Sequence, residues 1–217
     1  GNGILELRQE IVKKLKEDNG VEYALNEVTT AVGAKQAIAS TMMVIAGPGD
    51  EVLLPIPCWV SYTEMIRLAG ATPVFVPVRE DNYELDLDAI EQAITPRTKA
   101  IIICTPNNPT GAVYSEESLR KLAALAVAHD FFIVADEIYE KLVYDGAKHF
   151  SVASISREVK DRTVTVNGFS KAYAMTGWRI GYAAARADVI KGIMAVQSQT
   201  TSATSAISQK AAVEALR

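Results

Sequence analysis

Cysteine, histidine and long apolar runs are all scarce in this chain, and each scarcity closes a class of function. Only two cysteines, Cys58 and Cys104, occur among 217 residues, both in apolar surroundings. So thin a set builds no disulfide framework, and two reduced, buried thiols in a cytosolic protein are expected. The two histidines, His129 and His149, have no ligand spacing to either cysteine, so no metal site is expected. No apolar stretch reaches the length of a membrane span, and the most apolar one, Phe131 to Ala135, is strand-sized. The opening GNGILELRQE lacks a basic region followed by an apolar core, which argues against a secretory signal. A net charge of −4 leaves no electrostatic footprint for nucleic acid. Repeats, low-complexity tracts and Pro/Gly-rich linkers are missing too, so residues 1–217 are expected to form one domain with a sizeable core.

What is present is alternation. Short apolar runs predict strands at Val28–Val32, Glu51–Leu54, Thr72–Val76, Ala100–Cys104, Phe131–Ala135, Thr163–Val166 and Ile180–Ala184. Between them, amphipathic stretches predict helices at Ile4–Asp18, Lys35–Ile45, Trp59–Leu68, Leu87–Ala93, Glu116–Ala128 and Val189–Val196, with another near the C-terminus. Asp86 and Ser115 stand where helix caps belong. Continuous apolar strands alternating with helices argue for a parallel sheet covered on both faces.

The chemistry gathers at strand ends, where open parallel sheets bind ligands. In GFSKAYAMTGWRIGY, Gly168 to Tyr182, Lys171 follows an apolar run and Arg179 lies eight positions on. A lysine whose pKa is lowered by burial and a nearby cation can form a Schiff base, and an arginine can clamp a phosphate with a planar donor pair. By itself such a pair is ordinarily a solvated surface feature. Gly33-Ala34-Lys35 turns from a strand into a helix, whose free amides and dipole suit a phosphate. The strand ending at Cys104 leads into Thr105-Pro106-Asn107-Asn108-Pro109-Thr110-Gly111, which read alone is a proline-rich turn. Phe131–Ala135 ends in Asp136-Glu137-Ile138-Tyr139. A carboxylate closing an apolar strand needs a positive partner such as a protonated pyridine nitrogen, unless it caps a following helix. Tyr139 would share the face of Asp136 in a helical turn. Trp59, after another strand, could stack on a planar ring or belong to the core. Together these groups fit pyridoxal phosphate, whose phosphate, ring nitrogen, phenolic oxygen and aldehyde each need such a partner.

With those residues in view, the chain resembles a fold-type I pyridoxal-phosphate enzyme of the aspartate aminotransferase family, class I/II, over essentially its whole length. The lysine segment, NNPTG and DEIY occur in the family's order and approximate spacing. The resemblance implies a three-layer α/β/α large domain whose seven-stranded sheet is mostly parallel, with Ile180–Ala184 antiparallel. It implies that Lys171 forms the Schiff base and moves the proton at the substrate α-carbon, while Asp136 pairs with the pyridinium nitrogen. Asn108 and Tyr139 would bond the phenolic oxygen and Trp59 would stack on the ring. Gly33, Ala34, Lys35, Ser170 and Arg179 would hold the phosphate. Gly168 and Ala34 depart from the pattern, since a phosphate-binding serine is frequent at the first place and serine or glycine at the second, so only backbone contacts are expected there.

PCWVSY and AMTGWRIGY resemble the bacterial aspartate aminotransferase branch, which also holds prephenate and aromatic aminotransferases. The implied activity is transamination of L-aspartate with 2-oxoglutarate in amino acid metabolism and biosynthesis, by a cytoplasmic homodimer that binds neither nucleic acid nor membrane. A C–S β-lyase or cyclopropane-forming synthase on the same scaffold remains open, as does a non-catalytic aminotransferase-like module of a transcription regulator, although no helix-turn-helix segment is evident. Family subunits are longer, so the family's N-terminal segment and C-terminal small domain are expected to be missing. The chain is then the cofactor-binding large domain, weakly active alone.

Overall fold

A computed structural model describes all residues, 1–217. The strands are β1 (Val28–Ala31), β2 (Glu51–Ile56), β3 (Thr72–Pro77), β4 (Thr98–Cys104), β5 (Phe132–Asp136), β6 (Thr163–Gly168) and β7 (Gly181–Ala184). They form one sheet in the order β1-β7-β6-β5-β4-β2-β3. Only β7 runs against its neighbours, pairing antiparallel with both β1 and β6. The exposed edge strand β3 carries Pro73 and Pro77, where a missing N–H is tolerated.

Helices α1 (Leu5–Asn19), α2 (Gly33–Ile45), α3 (Ser61–Leu68), α4 (Leu87–Ala93), α5 (Glu116–Ala128), α6 (Arg157–Arg162), α7 (Ala187–Thr200) and α8 (Ala206–Leu216) cover the sheet. The expected caps form: Asp86 accepts from Ala89 N at 3.0 Å and Ser115 from Ser118 N at 3.2 Å. The expected elements all appear, with ends displaced by a few residues, and the short helix α6 was not anticipated. Its six residues are too few to show a periodic apolar face.

Alternation along the strands divides the core. Val52, Leu54, Ile102, Val134 and Val166 pack with α2, α3 and α7 on one face. Leu53, Ile101, Ile103, Ile133 and Ala135 pack with α4, α5 and α6 on the other. There α1 and α8 add a neighbouring cluster against β1 and β7. This pleat decides the site: Asp136 continues the α2/α3 face and Glu137, one residue on, turns to the opposite face.

Candidate active site

A cleft of about 220 Å³ opens at the carboxyl ends of β4, β5 and β6 beside the N-terminus of α2. Of the ten residues expected to hold a cofactor, nine line it; Gly33 lies just behind, against Arg179. They come from five segments distant in sequence, which the sheet order draws together.

Asp136 forms the floor. It is buried, and Tyr62 Oη donates to its Oδ2 at 2.6 Å while the Ile138 N–H donates to Oδ1 at 3.2 Å. Burial pushes its pKa up to about 6, the Tyr62 and Ile138 hydrogen bonds pull the other way, and the Glu137 charge adds to the rise. Without the Tyr62 donor the carboxylate would face apolar surroundings with one partner. Asp136 caps no helix, because residues 138–141 form a turn. That turn, not a helical face, carries Tyr139 to the cleft, where Asn108 Nδ2 donates to its Oη at 3.3 Å. Burial, with the neighbouring Cys104 and Asp136, raises the Tyr139 pKa, so its phenol keeps its proton at neutral pH.

Lys171 stands across the cleft, its Nζ 5.6 Å from the Tyr139 ring centroid. It is exposed, so the burial expected to activate it is not found here. Trp59 forms a side wall just before α3 and meets Tyr62 edge-on, with centroids 5.3 Å apart. Lys35 Nζ rests over the Trp59 ring at 4.8 Å.

The remaining end is built for an anion. The first amides of α2 have no intrahelical acceptor, although Val32 N is taken by Gln36 at 2.6 Å. Gly33 has φ +81°, and a Cβ there would come within 2.5 Å of Arg179 Nη2. Arg179 is steadied by Thr176, whose carbonyl accepts from Nη1 at 2.9 Å, and Thr176 Oγ1 bonds to the Ser170 carbonyl at 2.8 Å. Gly168 is tightly enclosed: a Cβ would lie 3.0 Å from Gly181 Cα and 3.1 Å from the Ile180 carbonyl oxygen, so a serine would need the neighbouring backbone to give by a few tenths of an ångström.

Tyr62, Ile138 and Thr176 line the cleft without having been anticipated. Tyr62 had a signal in its spacing, three residues after Trp59 at the start of a helix. The thiols correct another expectation: both are free and Cys104 is buried, but Cys58 is only half-buried beside Trp59. No helix is long and apolar enough to cross a membrane.

Residues 1–217 match the family described as aminotransferase class I and II. The chain belongs to this family. It is 49% identical over 214 residues to the aspartate aminotransferase of Bacillus sp. (strain YM-2), covering 98% of this chain and 55% of that one. A probable aspartate/prephenate aminotransferase from Thermus aquaticus is 50% identical over 215 residues, covering 99% and 55%. The aspartate aminotransferase from Thermus thermophilus with maleate superposes at a TM-score of 0.96 and 48% identity, over 99% of this chain and 56% of that one. An aromatic aminotransferase from Pyrococcus horikoshii OT3 superposes at 0.97 and 41%, over 100% and 58%. The chain thus spans about half the length of the relatives it matches. The family's fold-type sheet, with its one antiparallel strand, is the one observed.

Proposed function

We propose that these 217 residues are the cofactor-binding large domain of a pyridoxal-phosphate aminotransferase that exchanges amino groups between L-aspartate and 2-oxoglutarate. The observation that carries the reading is one cleft lined by Lys171, buried Asp136, the Asn108–Tyr139 pair and an anion end made by α2 and Arg179. Each group matches a different part of the cofactor, and the spacing rejects a Cβ at Gly33 where a phosphate cradle is needed. Relatives named for aspartate and for aspartate/prephenate support the donor and leave prephenate as a second acceptor.

When bound, the cofactor supplies an aldehyde for amines and an electron-withdrawing ring that stabilises negative charge at the substrate α-carbon. The protein's part is positioning and proton transfer. Lys171 Nζ would be the amine that links to the aldehyde and the group that carries the proton at the substrate α-carbon. Asp136, fixed in place by the Tyr62 hydroxyl, would hold a proton on the ring nitrogen. Asn108 and Tyr139 would orient the phenolic oxygen, Trp59 would cover the ring, and the Ala34 and Lys35 backbone with the Ser170 and Arg179 side chains would anchor the phosphate, all of them lining the one cleft. The working enzyme is a homodimer in this reading, for which exposed Val60, Phe75 and Trp178 offer apolar surface to a partner, and the proposed compartment is the cytoplasm.

The test is an absorption spectrum of the protein with added pyridoxal phosphate, followed by L-aspartate. A visible band that L-aspartate converts is expected, with 2-oxoglutarate restoring it; no band change with aspartate, but conversion of cysteine to pyruvate and sulfide, would favour a C–S lyase.

A further inference from the structure

Asp136 and Glu137 are consecutive, yet they serve opposite faces of the sheet. Asp136 meets Tyr62, whereas Glu137 enters a buried polar cluster against α1. Glu137 Oε2 accepts from Asn19 Nδ2 at 3.1 Å and its Oε1 from Ser151 Oγ at 2.7 Å. Glu140 accepts from the same Asn19 amide at 2.8 Å and is paired with Lys14. Lys14 in turn donates to Asn19 Oδ1 at 2.8 Å. Tyr139 therefore sits in a turn whose two flanking carboxylates are both tied to the C-terminal end of α1.

His149 closes this cluster. Its side chain is 10% exposed, Nε2 lies 3.3 Å from Glu137 Oε2, and neither ring nitrogen has a well-aligned hydrogen-bond partner. Ligand atoms of Glu137, Glu140 and His149 lie within 4.8 Å of one another, but Lys14 and Asn19 already occupy the carboxylates, so the group is an ion network and not a metal pocket. Two buried carboxylates face a single ammonium, and one negative charge stays uncompensated unless the imidazole holds a proton. Around them, Asp18 lies 4.0 Å from Lys14 and pairs with Lys141 at 2.8 Å, an outer couple that cancels. Tyr173 and Tyr182, also close to these carboxylates, have raised pKa values, chiefly through burial, and stay neutral. Burial opposes a charged imidazole, but the adjacent Glu137 carboxylate, with Glu140 behind it, raises the His149 pKa overall.

We propose that Lys14, Asn19, Glu137, Glu140 and His149 form a charge-balanced clamp that positions the Tyr139 turn, with the His149 proton as its removable part. Losing that proton leaves Glu137 under-neutralised beside Asp136, so the turn's hold on α1 and the charge felt by Asp136 change together. The sign follows from linkage: a raised histidine pKa stabilises the fold fully below the unfolded value and the contribution fades as pH rises through the folded one. The consequence for the cofactor rests on the reading that Tyr139 serves it.

The test is an imidazole NMR titration of the cofactor-free 217-residue chain, with the Tyr139 ring signals followed in parallel. His149 is expected to titrate above the ordinary imidazole value of 6.5, and E137Q to lower its midpoint by about one pH unit or more. The Tyr139 signals should shift with the His149 midpoint in the parent and lose that shift in H149Q. Titration of His149 at or below the ordinary imidazole value, or Tyr139 signals indifferent to it, overturns the proposal; if E137Q does not fold, the parent and H149Q decide. A chain whose histidine and tyrosine titrate together, but which never attaches pyridoxal phosphate, keeps the clamp and loses the proposed cofactor site.

Discussion

Tyr62 donates its hydroxyl proton to Asp136 Oδ2 across 2.6 Å at the carboxyl end of β5, and both side chains are buried. A hydrogen bond to a charged acceptor contributes roughly 1.5–3 kcal/mol, so this phenol holds the carboxylate nearer its charged form than burial alone would. Tyr62→Phe removes the donor without opening a large void. In the intact enzyme the Asp136 pKa should rise further, moving the acid limb of the kcat/KM profile upward by about one pH unit or more. An unmoved acid limb in that variant would show that Tyr62 only packs.

Asp136 also sets a stability that depends on pH in the sense opposite to most carboxylates. Its folded pKa, about 6, lies above the ordinary 3.8, so its favourable contribution is complete below that ordinary value and is lost as pH rises through about 6. Asp136→Asn removes the penalty of the buried charge, while its amide oxygen still accepts from the Ile138 N–H and its amide nitrogen can donate to Tyr62 Oη, for a net gain of about 1–2 kcal/mol. The cofactor-free variant should therefore melt higher than its parent at pH 8 and show no gain at pH 4. In the intact enzyme the same change should lower kcat strongly if, as proposed, Asp136 is the partner of the ring nitrogen. Equal melting curves at pH 8 would mean that Asp136 is already neutral there.

How much of this could be read in advance differs between elements. The strands are legible because each is a short, β-branched or apolar run between polar segments, and Lys171, Asp136 and Asn108 are polar residues close after such runs. What escaped depended on three-dimensional proximity. Nothing in the order of residues says that Tyr62 reaches Asp136 across two strands, or that Gly168 is crowded by Gly181. The turn carrying Tyr139 was read as helical because a three-residue spacing is compatible with either. Its true course is fixed by Glu137 and Glu140 gripping α1, a contact spanning more than a hundred residues.

Attachment of the cofactor can be located directly. Lys35 and Lys171 both line the cleft, but Lys35 lies over Trp59 whereas Lys171 faces the Tyr139 ring. Borohydride reduction of the loaded protein followed by peptide mapping should find the label on Lys171. Lys171→Ala should lose the visible absorption band yet keep some affinity through the anion end. A label on Lys35 would overturn the assignment.

Gly33 gives the anion end its shape. Alanine there would be strained at φ +81° and would push against Arg179 Nη2. The left-handed conformation alone costs about 1–2 kcal/mol for a residue with a Cβ. Moving Arg179 should weaken pyridoxal phosphate binding by about tenfold or more, through a contact of about 1.5–3 kcal/mol. Affinity for pyridoxal, which lacks the phosphate, should change little. Equal losses for both ligands in a fluorescence titration would place the damage elsewhere.

The cations of the cleft limit what the 217 residues can do alone. Only Lys35, Lys171 and Arg179 line it, and the proposed cofactor engages Lys171 and Arg179 while Lys35 covers Trp59. No further arginine lines the cleft to grip the two carboxylates of aspartate. Transamination needs the α-carbon–hydrogen bond held upright on the ring, and orientation of this kind accounts for about 7–11 kcal/mol in well-ordered reactions. Lys171, Thr176 and Arg179 are moreover exposed, so water reaches the site. The 217-residue chain should bind pyridoxal phosphate but convert aspartate at least about a hundredfold more slowly than a relative of full length, since misplacement by an ångström costs that much. A coupled oxaloacetate assay on the two proteins side by side measures this. Comparable turnover would show that these residues orient the substrate unaided, and that some group other than a cleft cation holds its carboxylates.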